Sequence, residues 1–394
     1  MKRTNCSACG SPDLDQFLDL GLSPIADAYT ATPGEQTPRF PLEVAVCAKC
    51  HLVQLLKVVP AEVLFGTGYS FYSSASAPLS AYHAAYARDV LAEHGALARR
   101  GVVEIGCNDG DLLRHFAAAD CPALGVDPAA GPVDVARGRG LDVRIRPFGR
   151  AFAADLLDQR GPVPLIIANH VLAHVADVAD MLAGISVLLA DDGVAMVEVQ
   201  YLPDLLVNNA FDLIYHEHRN FFSLSSLEQA AGRHDLYVAD AELTDRQGGS
   251  LRVTLRRPPQ SSSTVDALRA SESWLNSFGA YEGMQGRAER IRTRLLDLVG
   301  AQEGITAVYG APAKATTLLN FCGLTSDDLT WCVDTTPAKQ GRFIPGAGIP
   351  IVAPDFMGAN TYLLTAWNYS RQIMARDRDR IRNWIVPFPA PVLL

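Results

Sequence analysis

Three groups of residues in this chain are of the types and spacings that do chemistry. The first is Glu104-Ile-Gly-Cys-Asn-Asp-Gly110, directly after the apolar pair Val102-Val103. An acid there ends a buried strand, and Gly106 and Gly110 let the backbone turn tightly beneath a ligand. A second acid, Asp127, closes the next apolar run, Ala123-Leu-Gly-Val126. An acid about 20 residues past a glycine turn is placed to hold the two hydroxyls of a ribose. The spacing Gly-x-x-x-Gly lacks the third glycine that packs a dinucleotide pyrophosphate against a helix N-terminus, which favours S-adenosylmethionine (SAM) over NAD. A glycine turn in an α/β sheet that binds nothing would read the same way.

The second group is Cys6-x-x-Cys9 with Cys47-x-x-Cys50. Two such pairs supply four thiolates for a closed, tetrahedral zinc site, with no open position for water and therefore a folding role. Gly10 frees the backbone to wrap the metal, while His51 is surplus to a complete ligand set. The interval between the pairs exceeds the usual ribbon spacing, and a redox pair is the competing reading. The third group is Tyr215-His216-Glu217-His218, set between Phe211 and Phe221-Phe222. Histidine takes a proton near neutral pH, an adjacent acid orients it, and a tyrosine hydroxyl can donate to a developing oxyanion. The same His-x-His with Glu could instead ligate a metal. His174 lies just past the apolar run Leu165-Ile-Ile-Ala168, on the ligand side of the expected sheet.

These groups need a frame. At 394 residues the chain is long enough for two or three domains. A net charge of −9 argues against nucleic acid or an anionic membrane as partner, and no apolar run reaches the length of a bilayer span. Met1-Lys-Arg-Thr-Asn-Cys6 has no apolar signal region, so a cytoplasmic enzyme is expected. The other four cysteines (Cys107, Cys121, Cys322, Cys332) read as buried thiols.

A helix is expected from Ala81 to about Gly95, then strands at Gly101–Ile105, Ala123–Val126, Val143–Arg146, Leu165–Ala168 and Val194–Val199. The segments Leu236–Ala239 and Leu251–Arg256 alternate like an antiparallel pair. Parallel β/α units capped by such a pair are the layout of a Rossmann-like SAM methyltransferase core. Its ligand sits at the carboxyl ends of the strands, near Glu104, Gly106, Asn108, Asp109, Gly110, Asp127 and Asn169. A turn is expected at Asp191-Asp192-Gly193 and a linker at Arg257–Ser263, followed by a long helix over about 265–299. Then Tyr309-Gly-Ala-Pro-Ala-Lys314 repeats the strand, glycine turn and helix, and a lysine at a helix N-terminus favours phosphate. The expected boundaries are 1–66 for the zinc module, 67–258 for the SAM domain and 259–394 for a second Rossmann-like domain.

Taken together, the four cysteines, Glu104–Gly110, Tyr215–His218, Gln247-Gly-Gly-Ser-Leu-Arg252, Tyr309–Lys314, Asn320-Phe-Cys-Gly323 and Val333-Asp-Thr-Thr-Pro337 run collinearly over essentially the whole chain. In this the chain resembles the bacterial SAM-dependent deoxysugar C-methyltransferases of antibiotic biosynthesis. The resemblance implies an acceptor that is a nucleotide-linked 4-keto-deoxysugar, usually on dTDP, and a monomer or homodimer. It implies that a base removes the C–H beside the ketone and that the enolate carbon attacks the sulfonium methyl. The base then matches His218, organised by Glu217 and Tyr215, with His174 as a second active-site histidine. An aromatic-serine motif near residue 70 also contributes a tyrosine. This chain reads Tyr69-Ser-Phe71-Tyr72, with phenylalanine where relatives commonly carry a second tyrosine, so Tyr69 and Tyr72 both stand as candidates. The C-terminal domain would hold the sugar nucleotide, through Lys314, Asn320, Asp334 and Lys339. An O- or N-methyltransferase on another metabolite, or a non-catalytic sugar-nucleotide-binding relative, is the alternative.

Overall fold

The computed structural model describes residues 2–64, 71–244, 248–257, 259 and 261–394. Near the N-terminus, β1 (Leu14–Pro24), β2 (Arg39–Cys47) and β3 (Val53–Leu55) form an antiparallel meander. Leu42, Val44 and Val46 alternate along β2 and are buried on one face, and from Ala45 to Cys47 the other face is buried too.

The central sheet is built from β4 (Val102–Ile105), β5 (Ala123–Asp127), β6 (Val143–Ile145), β7 (Val163–Asn169) and β8 (Leu189–Gln200). These pair in parallel and read as continuous apolar runs because helices cover both faces. The chain then detours. β9 (Asn220–Phe221) leaves this sheet and pairs antiparallel with β3, joining the N-terminal sheet as its fourth strand. β10 (Tyr237–Thr244) and β11 (Ser250–Arg256) return as the expected antiparallel pair, giving the order β10-β11-β8-β7-β4-β5-β6. The order reverses between β4 and β7, the place where open α/β sheets take their ligands at the strand ends. Helix Ala77–Ala98, capped by the Ser76 hydroxyl, and helix Val178–Leu188, capped by Asp177, pack on the sheet.

The C-terminal sheet repeats this device with β12 (Thr306–Tyr309), β13 (Cys332–Val333), β14 (Ile351–Val352), β15 (Thr361–Leu364), β16 (Asn383–Val386) and β17 (Val392–Leu393). Its order is β14-β13-β12-β15-β16-β17, parallel except for the last strand. No helix of the described residues is long and apolar enough to cross a membrane.

The N-terminal module keeps only a small core of its own, Ile25, Val59 and Leu64 with Phe40, and shares the rest. Leu18, Leu42 and Val44 pack with Met284, Leu295, Leu318 and Leu363 of the C-terminal part. Cys6, Cys47, Cys50 and Leu52 belong to the core of the central sheet with Val103 and Leu182. Two expectations are corrected. The long helix over 265–299 is two helices, Ser263–Ser271 and Met284–Gly300, because the intervening segment turns and Gly283 adopts φ 73°. The turn at Asp191–Gly193 lies inside β8 as an irregularity in its pairing with β7, where the register jumps from Val163↔Leu189 to Leu165↔Val194.

Candidate active site

The four N-terminal cysteines converge. Cys6 and Cys50 sulfurs are 3.5 Å apart, as are those of Cys9 and Cys47, and all four lie within 4.8 Å of one another. A tetrahedron of Zn–S bonds of about 2.3 Å has S···S edges of about 3.8 Å, so these sulfurs fit a zinc ion and complete its coordination. The surrounding chain ties this knot to the central domain. The Ser7 backbone carbonyl accepts from Ala179 N, the Ser7 hydroxyl donates to Asn220 Oδ1 (2.8 Å), and Leu55 N donates to the Arg219 carbonyl (2.9 Å).

At the carboxyl ends of β4 and β5, Gly106 turns with φ 73°, and a Cβ added there would stand 2.3 Å from Val171. Asn108, also left-handed at φ 51°, donates its backbone N–H to Asp127 Oδ2 (2.9 Å), while Ala129 N donates to Oδ1 (2.8 Å). Gly110 packs against Leu141 and Ala136. Glu104 is buried, and burial followed by the charges of Asp127, Asp111 and Asp109 pushes its carboxyl well above the usual range. Its Oε2 and the Asn169 Nδ2 across the switch point are buried with no partner. A cradle closed by glycine, two orphaned polar atoms and four crowded carboxylates suit an adenosine-bearing cation such as SAM. They oppose a dianionic dinucleotide.

The segment after the undescribed stretch covers this loop. Ser73 N donates to Asn108 Oδ1 (2.9 Å), Asn108 Nδ2 donates to the Phe71 carbonyl (3.1 Å), and the Ser74 hydroxyl donates to Asp109 Oδ2. Tyr72 is carried with it, and its hydroxyl would lie 3.0 Å from a Cβ at Gly131. That places Tyr72 over the donor loop. Tyr69 falls outside the described residues.

The Tyr215–His218 group sits on the turn before β9. His218 Nδ1 faces the Leu213 carbonyl at 2.8 Å, which fixes the hydrogen on Nδ1, and Nε2 therefore accepts from the Tyr215 hydroxyl, also at 2.8 Å. His174 Nδ1 donates to the Glu217 carbonyl (2.7 Å), and its ring is 5.1 Å from that of His218. Burial pushes His174 down to about 4 and His218 well below its ordinary value, so both are neutral near pH 7. Burial, and then the charge of Asp27, raises the Glu217 carboxyl to about 8; its Oε2 is buried without a partner. His216 turns away to the Phe40 carbonyl (3.2 Å) and is pushed down to about 4 by burial. Because each ring faces a carbonyl or hydroxyl and the side chains diverge, the metal reading of this cluster is set aside.

The C-terminal crevice meets this group through the short segment Ile25–Thr30. The Asp27 backbone hydrogen-bonds Glu217, Thr316 donates to the Ala26 carbonyl (3.0 Å), and Tyr29 donates to the Ala311 carbonyl (2.7 Å). Lys339 Nζ donates to that same carbonyl (2.8 Å) and lies 5.1 Å from the centre of the Tyr29 ring. Asp334 Oδ2 accepts from Ala311 N (2.6 Å) and Oδ1 from Thr336 N (2.7 Å).

Lys314 is buried rather than open to solvent. It donates to Asn368 Oδ1 (2.8 Å) and stands 4.0 Å over the Trp367 ring, and burial lowers it to about 8 against the opposing pull of Asp212. Asn320 spends both amide hydrogens on the Thr316 and Pro345 carbonyls, so it braces the loop after β13. Sequence reasoning missed Asp27 and Tyr29, whose only signal is a buried aromatic and an acid in an apparent loop. It also gave no role to His170, which directly follows β7.

Comparison with known proteins identifies a family. Family models match at residues 6–65 (zinc binding domain), 80–241 (methyltransferase domain) and 245–391 (C-methyltransferase C-terminal domain). C-methyltransferase NovU of Streptomyces niveus is 34% identical over 404 residues, spanning 98% of this chain and 96% of that protein. A ubiquinone biosynthesis O-methyltransferase of Azorhizobium caulinodans is 26% identical over 174 residues, spanning 42% of this chain and 66% of its own length. Magnesium protoporphyrin IX methyltransferase of Synechocystis, solved with bound SAH, covers 45% of this chain and 83% of its own at 16% identity, with a TM-score of 0.37.

Proposed function

The chain belongs to the C-methyltransferase family and is a SAM-dependent enzyme with a zinc module; on that premise we propose that it methylates a carbon beside the ketone of a nucleotide-linked 4-keto-deoxysugar. The sugar is most in keeping with a dTDP carrier and with secondary-metabolite synthesis. One observation carries the reading. The Tyr215–His218 group lies between two crevices, reached from the SAM loop through Val171 and His174 and from the C-terminal loop through Asp27, Tyr29 and Ala311.

SAM supplies an electrophilic methyl group when bound. The protein's part is to make a carbon nucleophile and hold it there. A ketone acidifies the neighbouring C–H, and a neutral imidazole is the group to take that proton. His218 has the required form, with its lone pair on Nε2, where Tyr215 now donates. The pair acts as one unit: the hydroxyl shifts its hydrogen bond to the forming enolate oxygen and frees Nε2 to receive the proton. His174 keeps the Glu217 turn in place. Glu217, neutral at pH 7, is a donor to the same oxygen or to a sugar hydroxyl. Lys339 and the Asp334-braced loop face the diphosphate.

The test is exchange in heavy water. Wild-type protein with a dTDP-4-keto-6-deoxysugar and no SAM should exchange the adjacent C–H for deuterium, and with SAM should yield a carbon-methylated sugar. His218→Ala should lose both by about 10²–10⁴-fold while its SAM affinity stays as in the wild type. Methyl transfer without prior exchange would instead mark transfer to oxygen or nitrogen.

A further inference from the structure

Glu198 is buried inside β8 but fully engaged. It accepts from the Tyr82 hydroxyl (2.5 Å), His170 Nε2 (3.0 Å) and Arg252 Nε (3.0 Å). Arg252 also donates to the Tyr82 hydroxyl (2.6 Å) and stacks 4.6 Å from the Tyr86 ring. Burial alone would raise the Glu198 carboxyl, and His170, Tyr82 and Arg252 overcome this and hold it at about 2. The three donors come from helix Ala77–Ala98, the end of β7 and β11, so the network clamps a helix to the sheet at the switch point.

His170 differs from the other two donors in its backbone. It sits in the left-handed region at φ 55°, which a non-glycine residue keeps only when its surroundings demand it. Its backbone N–H is spent on the Glu198 carbonyl (2.7 Å) and its Nε2 on the Glu198 carboxylate. A carboxylate facing Nε2 fixes the hydrogen on that atom and leaves Nδ1 as the open position of the ring. Among the described residues, Nδ1 has no protein partner and is not sealed from solvent. The neighbours on either side locate it. Asn169 carries an orphaned amide at the donor crevice, Val171 packs beneath Gly106, and the Val171 carbonyl accepts from the backbone N–H of His174 (2.9 Å). His170 therefore stands between the SAM loop and the proton-handling histidines, presenting a bare ring nitrogen.

We propose that His170 is a further substrate-contacting residue, accepting through Nδ1 a hydrogen bond from a hydroxyl or amine that the acceptor carries beside the methylated carbon. The proposal rests on the keto-sugar reading, since the donor crevice is already furnished with carboxylates and a neutral acceptor atom has most to offer the sugar. The network around Glu198 then sets the tautomer and the tilt of this ring, and the strained backbone aims it.

The experiment compares His170→Gly, His170→Asn and wild type. Glycine keeps the left-handed backbone and removes the ring; asparagine tolerates the same backbone and returns an acceptor oxygen near the Nδ1 position. His170→Gly should raise the acceptor KM roughly five- to tenfold, the effect of one hydrogen bond, with SAM affinity by calorimetry unchanged. His170→Asn should recover most of that loss. An acceptor removed of the hydroxyl or amine should show the same KM with all three proteins. Equal acceptor KM in wild type and His170→Gly, a matching loss of SAM affinity, or no recovery by asparagine overturns the assignment. A wild-type protein that methylates no nucleotide-linked keto-sugar overturns the functional reading and this assignment with it, whereas active wild type with an indifferent glycine variant overturns only the assignment.

Discussion

Asp127 and Asp334 stand at equivalent places in the two parallel sheets, each at the end of the second strand, and each does the same thing with its two oxygens. Asp127 takes the backbone N–H of Asn108 in the glycine loop and of Ala129 two residues on; Asp334 takes those of Ala311 and Thr336. The backbone device is shared, and the charged groups around it differ. Glu104, Asp109 and Asp111 crowd the first crevice, whereas Lys339 attends the second, with Lys314 buried behind it. In our proposal one frame thus serves two ligands of unlike charge: a sulfonium donor at the first crevice and a diphosphate-bearing acceptor at the second. The difference teaches that the aspartate's first task is to hold the loop, with ribose recognition added through lone pairs that remain.

The comparison breaks first at the glycines. Gly106→Ala adds a methyl 2.3 Å from Val171 at φ 73°, so overpacking and left-handed strain together should cost about 2–4 kcal/mol. SAM affinity measured by calorimetry should fall far more than affinity for dTDP; an equal fall in both would erase the distinction between the crevices. The aspartates give the next effect. Asp127→Ala and Asp334→Ala each strip two N–H groups of their acceptor, costing about 1–3 kcal/mol. Asp127→Ala should weaken SAM and spare dTDP, and Asp334→Ala should do the reverse.

The smallest effect probes the bridge between the crevices. Glu217, raised to about 8 by burial and Asp27, contributes stability that is complete below its unfolded value and is lost as pH rises through about 8. His174, lowered to about 4 by burial, contributes stability that is lost as pH falls from about 6.5 towards 4. Thermal midpoints should therefore decline on both sides, and Glu217→Gln should flatten only the alkaline decline. The activity of that variant should likewise lose its fall above pH 8, because an amide remains a neutral donor.

The convergence of Glu104, Gly106, Asn108 and Asp127 was legible in the sequence because they are close in the chain, within one β/α/β unit. The cysteine cluster was legible because thiolate pairs at that spacing have few other uses. Lys314 was harder. Its identity and its place on a helix N-terminus were readable, but its burial depends on Trp367 and Asn368, far along the chain, which no local pattern shows. The same distance hid Asp27 and Tyr29, whose partners lie at Glu217 and Ala311. The occupation of His218 Nε2 by Tyr215 depends on side-chain geometry within a turn, and spacing alone does not set it.

The pairing of Asn220–Phe221 with the edge of the N-terminal meander has a bearing on inheritance and synthesis. During translation the cysteine knot can close early, but its sheet waits for a strand made only after most of the central domain has emerged. The module is thus not a cassette. A chimera that exchanges it with a relative's at the boundary before helix Ala77–Ala98 would leave a foreign edge against the turn bearing His218. Successful exchanges should be those that carry both segments across together, and natural recombination within this family should respect the same join.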